Sequence, residues 1–255
     1  MRLGVGLVVV GSLLASVAWA DPHPARPRRP RHATSIEPLE PGSLQFELGY
    51  VAEHTSGPAP SWWHWTPMQA RLQATPTIEL QLGFDGVGVH EGRAGAGDPW
   101  FGVVAVPLPE DGLAPAVGLH VRLGVPLGNE GFGADGVRLQ AGVALTGHFG
   151  RLVRLDLDLG VRSRVSAGSG DSLVLPAAVA ATVTVFDLVD VIAEVSGDFD
   201  LLDLQATPVL RSLVAAGWHV ADTLVVDAGA ELGLTEQAPD VRIVVGLSWN
   251  LADMY

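Results

Sequence analysis

Strict alternation of apolar and polar side chains is the feature that most constrains this chain. In residues 151–164, RLVRLDLDLGVRSR, every odd position from Val153 to Val161 is Val or Leu, with charged residues or glycine between. A period of two places successive side chains on opposite faces of a β-strand. The apolar face contacts either the core of a soluble sheet or the lipid around a membrane barrel. This segment alone leaves both alternatives open.

The same alternation recurs from residue 43 to the end of the chain and predicts twelve strands. Most are about 9–13 residues long, which fits a membrane-spanning strand of about 9–11 residues better than the globular average of about 5–6. The predicted strands lie near residues 44–50, 68–73, 78–85, 99–107, 117–124, 137–146, 151–164, 172–186, 188–199, 207–220, 222–234 and 241–251.

Short and long connections alternate between these strands. Residues 75–76, 107–114, 148–151, 186–187 and 219–222 form the short set; residues 52–66, 86–98, 125–136, 163–171, 199–206 and 234–239 form the longer, glycine-rich set. Outer-membrane barrels have short periplasmic turns and longer outer loops. Past residue 20 there is no apolar run long enough for a transmembrane helix. The sequence therefore predicts an all-β fold, a closed up-and-down antiparallel transmembrane barrel of about twelve strands over residues 42–255. A soluble sandwich or lipocalin-like barrel is the alternative.

Two segments precede the predicted barrel. Residues 1–20 combine Arg2, an apolar run and small residues at Ala18 and Ala20, which is typical of a cleaved signal peptide. A membrane anchor is the alternative, although the run is short for a span. Residues 21–41 are rich in Pro and Arg, which predicts a disordered periplasmic leader. We therefore expect export to the outer membrane of a Gram-negative bacterium, with outer-membrane lipid as a partner.

Composition excludes several classes of function. The chain has no cysteine, which removes disulfides, thiolate metal ligands and a cysteine nucleophile. The net charge of −13 argues against a nucleic-acid partner. No cofactor is expected, because glycine clusters such as residues 92–97 lack the helix and lysine of a phosphate-binding loop.

Charged residues concentrate on the polar face, which would be the lumen of a membrane barrel. They admit two interpretations: an electrostatic constriction that selects solutes, or an ion-paired plug that fills a narrow barrel. The lumen-facing charged residues are predicted to be Arg71, Glu79, Arg122, Arg138, Arg154, Asp156, Asp158, Arg162, Asp190, Glu194, Arg211, Asp227, Glu231 and Arg242, with Glu47 and Asp85 on the same face.

Aromatic residues cluster at positions 62–65 and near the C-terminus. Tryptophan and tyrosine line both interfaces of membrane barrels, which predicts an interfacial girdle; stacking of an aromatic ligand is the alternative. The C-terminal aromatic is typical of the signal that the barrel-insertion machinery reads. The predicted interfacial aromatics are Trp62, Trp63, Trp65, Trp249 and Tyr255.

Candidate chemistry is sparse. His54, His64 and His90 fall in the predicted outer loops without metal-ligand spacing, so no metal site is expected. The stretch HTSG at residues 54–57 holds a Ser and a His, as a lipid hydrolase requires, but offers no third residue to orient the imidazole. We therefore expect a protein that is not an enzyme.

Three stretches carry a family resemblance. Gly97–Asp98 before a strand and Pro126-Leu127-Gly128 before a glycine-rich loop, followed by the ending ELGLTEQAPDVRIVVGLSWNL, resemble the MetA-pathway phenol-degradation family of outer-membrane barrels. The resemblance covers about two thirds of residues 21–255. It implies a barrel with a transport role, namely a narrow channel for small, hydrophobic or aromatic solutes. A non-conducting structural or interaction barrel is one alternative, and a lipid-modifying enzyme is another.

Overall fold

The computed structural model describes residues 24–56, 60–166 and 172–253, and all of their regular structure is β. No helix in these residues is long and apolar enough to cross a membrane. The predicted signal peptide and Tyr255 lie outside the described residues. The strands are β1 (Ser43–Thr55), β2 (Ser61–Trp65), β3 (Met68–Thr75), β4 (Ile78–Phe84), β5 (Val87–His90), β6 (Arg93–Ala96), β7 (Pro99–Leu108), β8 (Ala116–Gly124), β9 (Gly136–Phe149), β10 (Val153–Ser166), β11 (Ser172–Val185), β12 (Val189–Asp200), β13 (Val209–Ala221), β14 (Leu224–Gly233) and β15 (Val241–Asp253).

Twelve of these strands close into one antiparallel barrel. Strands β7 to β15 each pair with their sequence neighbours, β4 pairs with β7, and β3 joins β4 to β1. Strand β15 then pairs with β1 along nearly its whole length, from Ser43 opposite Asp253 to His54 opposite Val241. This pairing leaves neither terminal strand of the barrel with a free edge. The predicted closed, twelve-stranded, up-and-down barrel is confirmed.

The two faces of the wall are inverted relative to a soluble protein. On β10 the side chain of Leu157 is 46% exposed on the outer surface, whereas Asp156 beside it is 1% exposed in the interior. The alternation of residues 153–161 is matched on the adjoining strands β9 and β11, where Leu145 and Val179 lie opposite Leu157. An apolar outer surface of this extent requires an apolar surrounding. The apolar stripe therefore faces lipid, and the polar stripe faces the lumen.

Two of the predicted outer loops contain strands. Residues 52–66 and 86–98 were expected to be long loops, but β1 continues to Thr55 and pairs there with β2. Strand β2 pairs with β5, and β5 pairs with β6, so the wall rises beyond the barrel on this side. The aromatic sequence Ser61–Trp65 favours β pairing once β1 offers an edge.

The segment before β1 lies inside the barrel. Residues 24–42, called here the lumenal segment, include most of residues 21–41, which were expected to form a disordered periplasmic leader. The backbone amide of Ala25 instead donates to Asp222 in a short turn, and that of Gly42 donates to Gln73 at the end of β3. Between these ends Ala33, Ile36 and Leu39 are buried. Composition alone predicted a solvated chain because it does not show that the acidic lumen can pair the arginines.

Glycines of the wall make room for this segment. A Cβ placed on Gly118 would lie 2.6 Å from Cγ2 of Ile36, and one placed on Gly49 would overlap the Arg29 guanidinium. The crowding that these glycines relieve comes from the lumenal segment itself.

Candidate functional site: the lumenal cavity and its floor

A polar cavity of about 600 Å³ occupies the lumen above the lumenal segment. Residues Arg28 to Thr34 form its floor, and the barrel wall forms its sides. The lining is cationic, although the whole chain carries a net charge of −13. Seven arginines line it, Arg28, Arg29, Arg31, Arg122, Arg162, Arg211 and Arg242, against four carboxylates, Glu47, Asp85, Asp158 and Asp198.

Arg71 is the centre of the contacts that hold one side of the floor. Its guanidinium is fully buried, 2.9 Å from Glu47 and 2.8 Å from Glu79, and it donates to the carbonyl oxygen of Arg26 at 2.7 Å. Arg28 adds a bond of 3.2 Å to Glu79. Burial lowers the pKa of Arg28 to about 10, against the opposing effect of Glu79. Two carboxylates on the wall thus hold two arginines, Arg71 of β3 and Arg28 of the lumenal segment, and Arg71 also binds the backbone of Arg26.

The other side of the floor is held by acidic residues of β10, β12 and β14. Glu194 accepts bonds from the backbone amides of His32 and Ala33, both at 2.9 Å. His32 also contacts Glu231, and Arg31 is paired with Asp156. A buried carboxylate requires such partners. The carboxylates of the wall and the basic side chains and amides of the lumenal segment therefore compensate one another.

Glu37 connects the returning part of the lumenal segment to the wall. Its carboxylate contacts Arg154, lies 3.2 Å from Nε2 of His148, and lies 3.9 Å from Arg26. Burial alone would raise the pKa of Glu37, but the contacts with His148 and Arg154 outweigh it and hold that pKa well below its usual range.

The remaining predicted lumenal charges also lie on the inner face, and all of them except Arg122 and Asp227 have a hydrogen-bond or ion-pair partner among the described residues. Arg162 lies 3.1 Å from Asp198, and Arg211 contacts Asp198 as well. Asp190 pairs with His219 at 3.1 Å. The other pairs are Asp158 with His120, Arg138 with Asp85 and Asp98, Arg154 with Asp156, and Arg242 with Glu53 and Glu231. Asp227 is buried, and no hydrogen bond to its side chain is present among the described residues.

Several site residues were missed from the sequence. Arg28, Arg29, Arg31 and His32 belong to the lumenal segment, which was expected to be a disordered leader outside the barrel. The signal that would have found them is the pairing of four arginines within residues 26–31 with the acidic residues of the predicted lumenal face.

The aromatic cluster at residues 62–65 divides between two faces. Trp62 is exposed and stacks with His64, consistent with the expected outer girdle. Trp63 and Trp65 instead face inward, where both line a second cavity of about 160 Å³ and Trp65 also borders the lumenal cavity. The girdle prediction is therefore wrong for these two residues, because alternation along β2 points neighbouring tryptophans to opposite sides. Trp249 lies on the outer surface.

An outer loop packs against this second cavity. Phe132, from the loop between β8 and β9, lies edge-on to Trp63, which stacks on His90 at 3.7 Å. The buried Asp98 carboxylate fixes this loop by accepting bonds from the amides of Gly128 at 2.7 Å and Ala134 at 2.6 Å. The Gly-Asp and Pro-x-Gly pair noted in the sequence is therefore one structural unit.

The Ser–His pair of residues 54–57 has a neighbour that the sequence did not reveal. Asp240 lies 3.4 Å from Nδ1 of His54 and accepts a bond from the backbone amide of Ser56. The contacts with Ser56 hold the pKa of Asp240 below its usual value. The described residues show no hydrogen bond between the Ser56 hydroxyl and His54. In the described part of the chain, no group of three or more His, Asp and Glu residues is arranged to hold a metal ion.

The fold is similar to solved outer-membrane proteins. The COG4313 outer membrane channel from Pseudomonas putida F1 is similar with a TM-score of 0.66 at 14% identity, over 86% of this chain and 99% of that one. The NanC porin is similar with a TM-score of 0.61 at 10% identity, over 81% of this chain and 99% of that one. The KdgM porin is similar with a TM-score of 0.54 at 10% identity, over 80% of this chain and 98% of that one. No protein-family model and no curated protein matches the sequence. These likenesses establish the fold, which is that of outer-membrane channels and porins.

Proposed function

We propose that this protein is an outer-membrane channel for the passive passage of small solutes, and that its own lumenal segment closes it. The observation that carries the proposal is the composition of the cavity floor. The wall encloses a polar cavity of about 600 Å³, and its floor is formed by residues 28–34 rather than by the barrel. The strand pairing of the wall does not involve these residues, so their release would leave the barrel closed on itself.

The apolar outer surface and the fold support an outer-membrane location. The structure that is similar with a TM-score of 0.66 is an outer membrane channel, and two further similar structures are porins. The resemblance to the MetA-pathway phenol-degradation family belongs to this proposal and implies solutes with an aromatic part. Phe84, Trp65 and Trp100 line the cavity beside the arginines and offer an apolar surface to such a solute.

Planar-bilayer conductance tests the proposal. The intact chain should show intermittent openings, and a variant that lacks residues 24–41 should show sustained, larger currents. Circular dichroism and a heat-modifiable gel shift must first show that both proteins are folded barrels. A folded deletion variant without channel events would overturn the proposal.

A non-conducting barrel is the second candidate, and the buried network around Arg71 favours it. Four buried charges, those of Arg28, Arg71, Glu47 and Glu79, make five close contacts with one another and hold the floor strongly. The same experiment separates the two functions. Complete silence of the intact chain at every voltage, beside conduction by the deletion variant, would assign a permanent plug and reject the channel.

A further inference from the structure

Two arginines of the lumenal cavity, Arg29 and Arg122, have no carboxylate oxygen within 4.0 Å among the described residues. Five of the seven lining arginines have a carboxylate oxygen within 4.0 Å, at distances such as 3.1 Å for Arg28 and 3.1 Å for Arg162. Among the described residues, no ion pair or side-chain hydrogen bond is made by the guanidinium of Arg29 or Arg122. A charge removed from bulk water is costly unless it is paired. These two positions can therefore accept an anion from the cavity.

Arg122 is held so that its hydrogen-bonding edge stays available. Its guanidinium stacks on the Trp100 ring, with Cζ 3.9 Å from the ring centroid. Stacking uses the face of the planar group and leaves the N–H donors at its edge free. Arg122 is exposed only toward the cavity, because it lies on the inner face of β8.

Arg29 is held by the shape of the wall. Its guanidinium lies against Gly49 and Gly246, where any larger residue at position 49 would overlap it. Its Nε atom is buried without a hydrogen bond. Burial lowers the pKa of Arg29, and Asp227 and Glu47 oppose this effect only at longer range.

The carboxylates that line the cavity are already engaged. Asp158 contacts His120 at 3.0 Å and accepts a bond from the Thr34 amide at 2.9 Å. Asp198 is shared by Arg162 and Arg211. Glu47 is bound to Arg71, and Asp85 to Arg138. None of the four is therefore available to neutralise Arg29 or Arg122 without giving up a partner.

We infer that the lumenal cavity, which Arg29 and Arg122 both border, holds an anion-binding subsite for a small organic carboxylate with an apolar or aromatic body. The guanidinium fork matches a carboxylate in two parallel hydrogen bonds. Trp100, Phe84 and Met68 border the same cavity and can cover the apolar part of the solute. The inference rests on the proposed channel and names its solute class. It also makes the lumenal segment part of the solute site, since Arg29 belongs to that segment.

The test measures binding and selectivity separately. Benzoate is titrated against the intact chain in detergent, with quenching of tryptophan fluorescence as the readout, since Trp65 and Trp100 line the cavity. Acetate, benzyl alcohol and inorganic phosphate are titrated in parallel. Benzoate should bind most tightly, because acetate lacks the apolar body and benzyl alcohol lacks the charge. In a bilayer under a KCl gradient, the reversal potential should show anion selectivity.

Variants of the two arginines locate the site. Arg29→Gln and Arg122→Gln should each weaken benzoate binding about tenfold or more, which is the effect of losing one charged hydrogen-bonding group. Arg122→Lys should keep the reversal potential but lose part of the affinity, because the charge remains without the fork. Arg93→Gln is the matched control, since Arg93 is an exposed arginine on β6. Gly49→Ala should act like Arg29→Gln by displacing the guanidinium.

Failure of this inference can be told from failure of the channel proposal. Unchanged benzoate binding and reversal potential in both Gln variants, with conduction intact, would overturn the subsite and leave the channel. Equal binding of phosphate and benzoate would overturn the carboxylate class. Benzoate binding that depends on both arginines, in a chain that never conducts, would uphold the subsite and reject the channel.

Discussion

Arg31 and Asp156 form a buried ion pair that joins the lumenal segment to strand β10. The side chains of both residues are almost completely inaccessible. Asp156 also accepts bonds from Arg154 at 3.1 Å and from the hydroxyl of Thr146 at 2.6 Å. The pair therefore connects the position of the segment to the polar network of the wall.

Replacing Asp156 with Asn should loosen the lumenal segment without preventing insertion. Removal of one partner from a buried pair costs about 3–5 kcal/mol, because the remaining charge is left uncompensated. The released segment should raise the open probability of the channel in planar bilayers. Asp111→Asn, in an exposed turn, is the control. An Asp156→Asn variant with the same open probability as the control would contradict this role.

The neighbouring residue Leu157 faces outward, so a charge at this position should prevent insertion of the barrel. Leu157→Arg places a charge on the lipid-facing surface of β10, where it costs about 2–4 kcal/mol near the bilayer midplane. We expect failure of insertion, seen as loss of the heat-modifiable band from the membrane fraction. Asp156→Asn, one residue away, should insert normally. Equal insertion of the two variants would show that the assignment of Leu157 to the lipid face and Asp156 to the lumenal face is wrong.

The wall could be predicted from the sequence because each strand carries its own evidence. The alternation in residues 153–161 fixes which side chains share a face, and the register on β9 and β11 repeats that choice. A one-residue slip would turn every Leu of β10 inward, so the pattern leaves little freedom. The same local rule applied to β2 would have placed Trp63 and Trp65 inward, opposite Trp62.

The interior could not be predicted in the same way. The position of residues 24–42 depends on contacts such as Arg28 with Glu79 and His32 with Glu194, which join residues 51 and 162 positions apart. Local composition contains no information about such pairs. The Pro- and Arg-rich sequence is compatible with a solvated chain, and only the acidic residues of distant strands make the lumen the better environment. For the same reason the motif that contains Asp98 could be noticed in the sequence, but not the contacts of its carboxylate, since Gly128 and Ala134 lie 30 and 36 residues away.

Asp98→Ala should release the outer loop between β8 and β9. The amides of Gly128 and Ala134 would lose their acceptor, and each buried unsatisfied donor costs about 1–3 kcal/mol. Phe132 should then leave its contact with Trp63, which predicts a red-shifted tryptophan emission and faster cleavage at Glu130 by a glutamate-specific protease. Asp135→Ala, at an exposed site in the same loop, should change neither signal. Cleavage at equal rates in the two variants would refute the anchoring role of Asp98.

If the lumenal segment closes the channel as proposed, the contacts of Glu37 predict that closure depends on pH. The pKa of this carboxyl is well below its ordinary 4.5 while the segment is docked and returns toward 4.5 when the segment is released into solvent. A group with a depressed pKa stabilises the docked state fully above the ordinary value, and this contribution is lost as the pH falls through the window between the two values. The loss is at most about 1.4 kcal/mol per pH unit.

Channel opening should therefore be insensitive to pH between 7 and about 5 as far as Glu37 is concerned, and should rise as the pH falls further below about 4.5. Glu37→Gln removes the charge that holds Arg154 and His148. We expect this variant to open more often at pH 7 and to show a shallower rise between pH 5 and pH 3. The measurement is open probability in planar bilayers at constant salt. Glu40→Gln, an exposed carboxylate at the end of the same segment, should keep the steeper profile of the unmodified chain. If the Glu37→Gln profile is as steep as that of Glu40→Gln, Glu37 is not the group that links closure to pH.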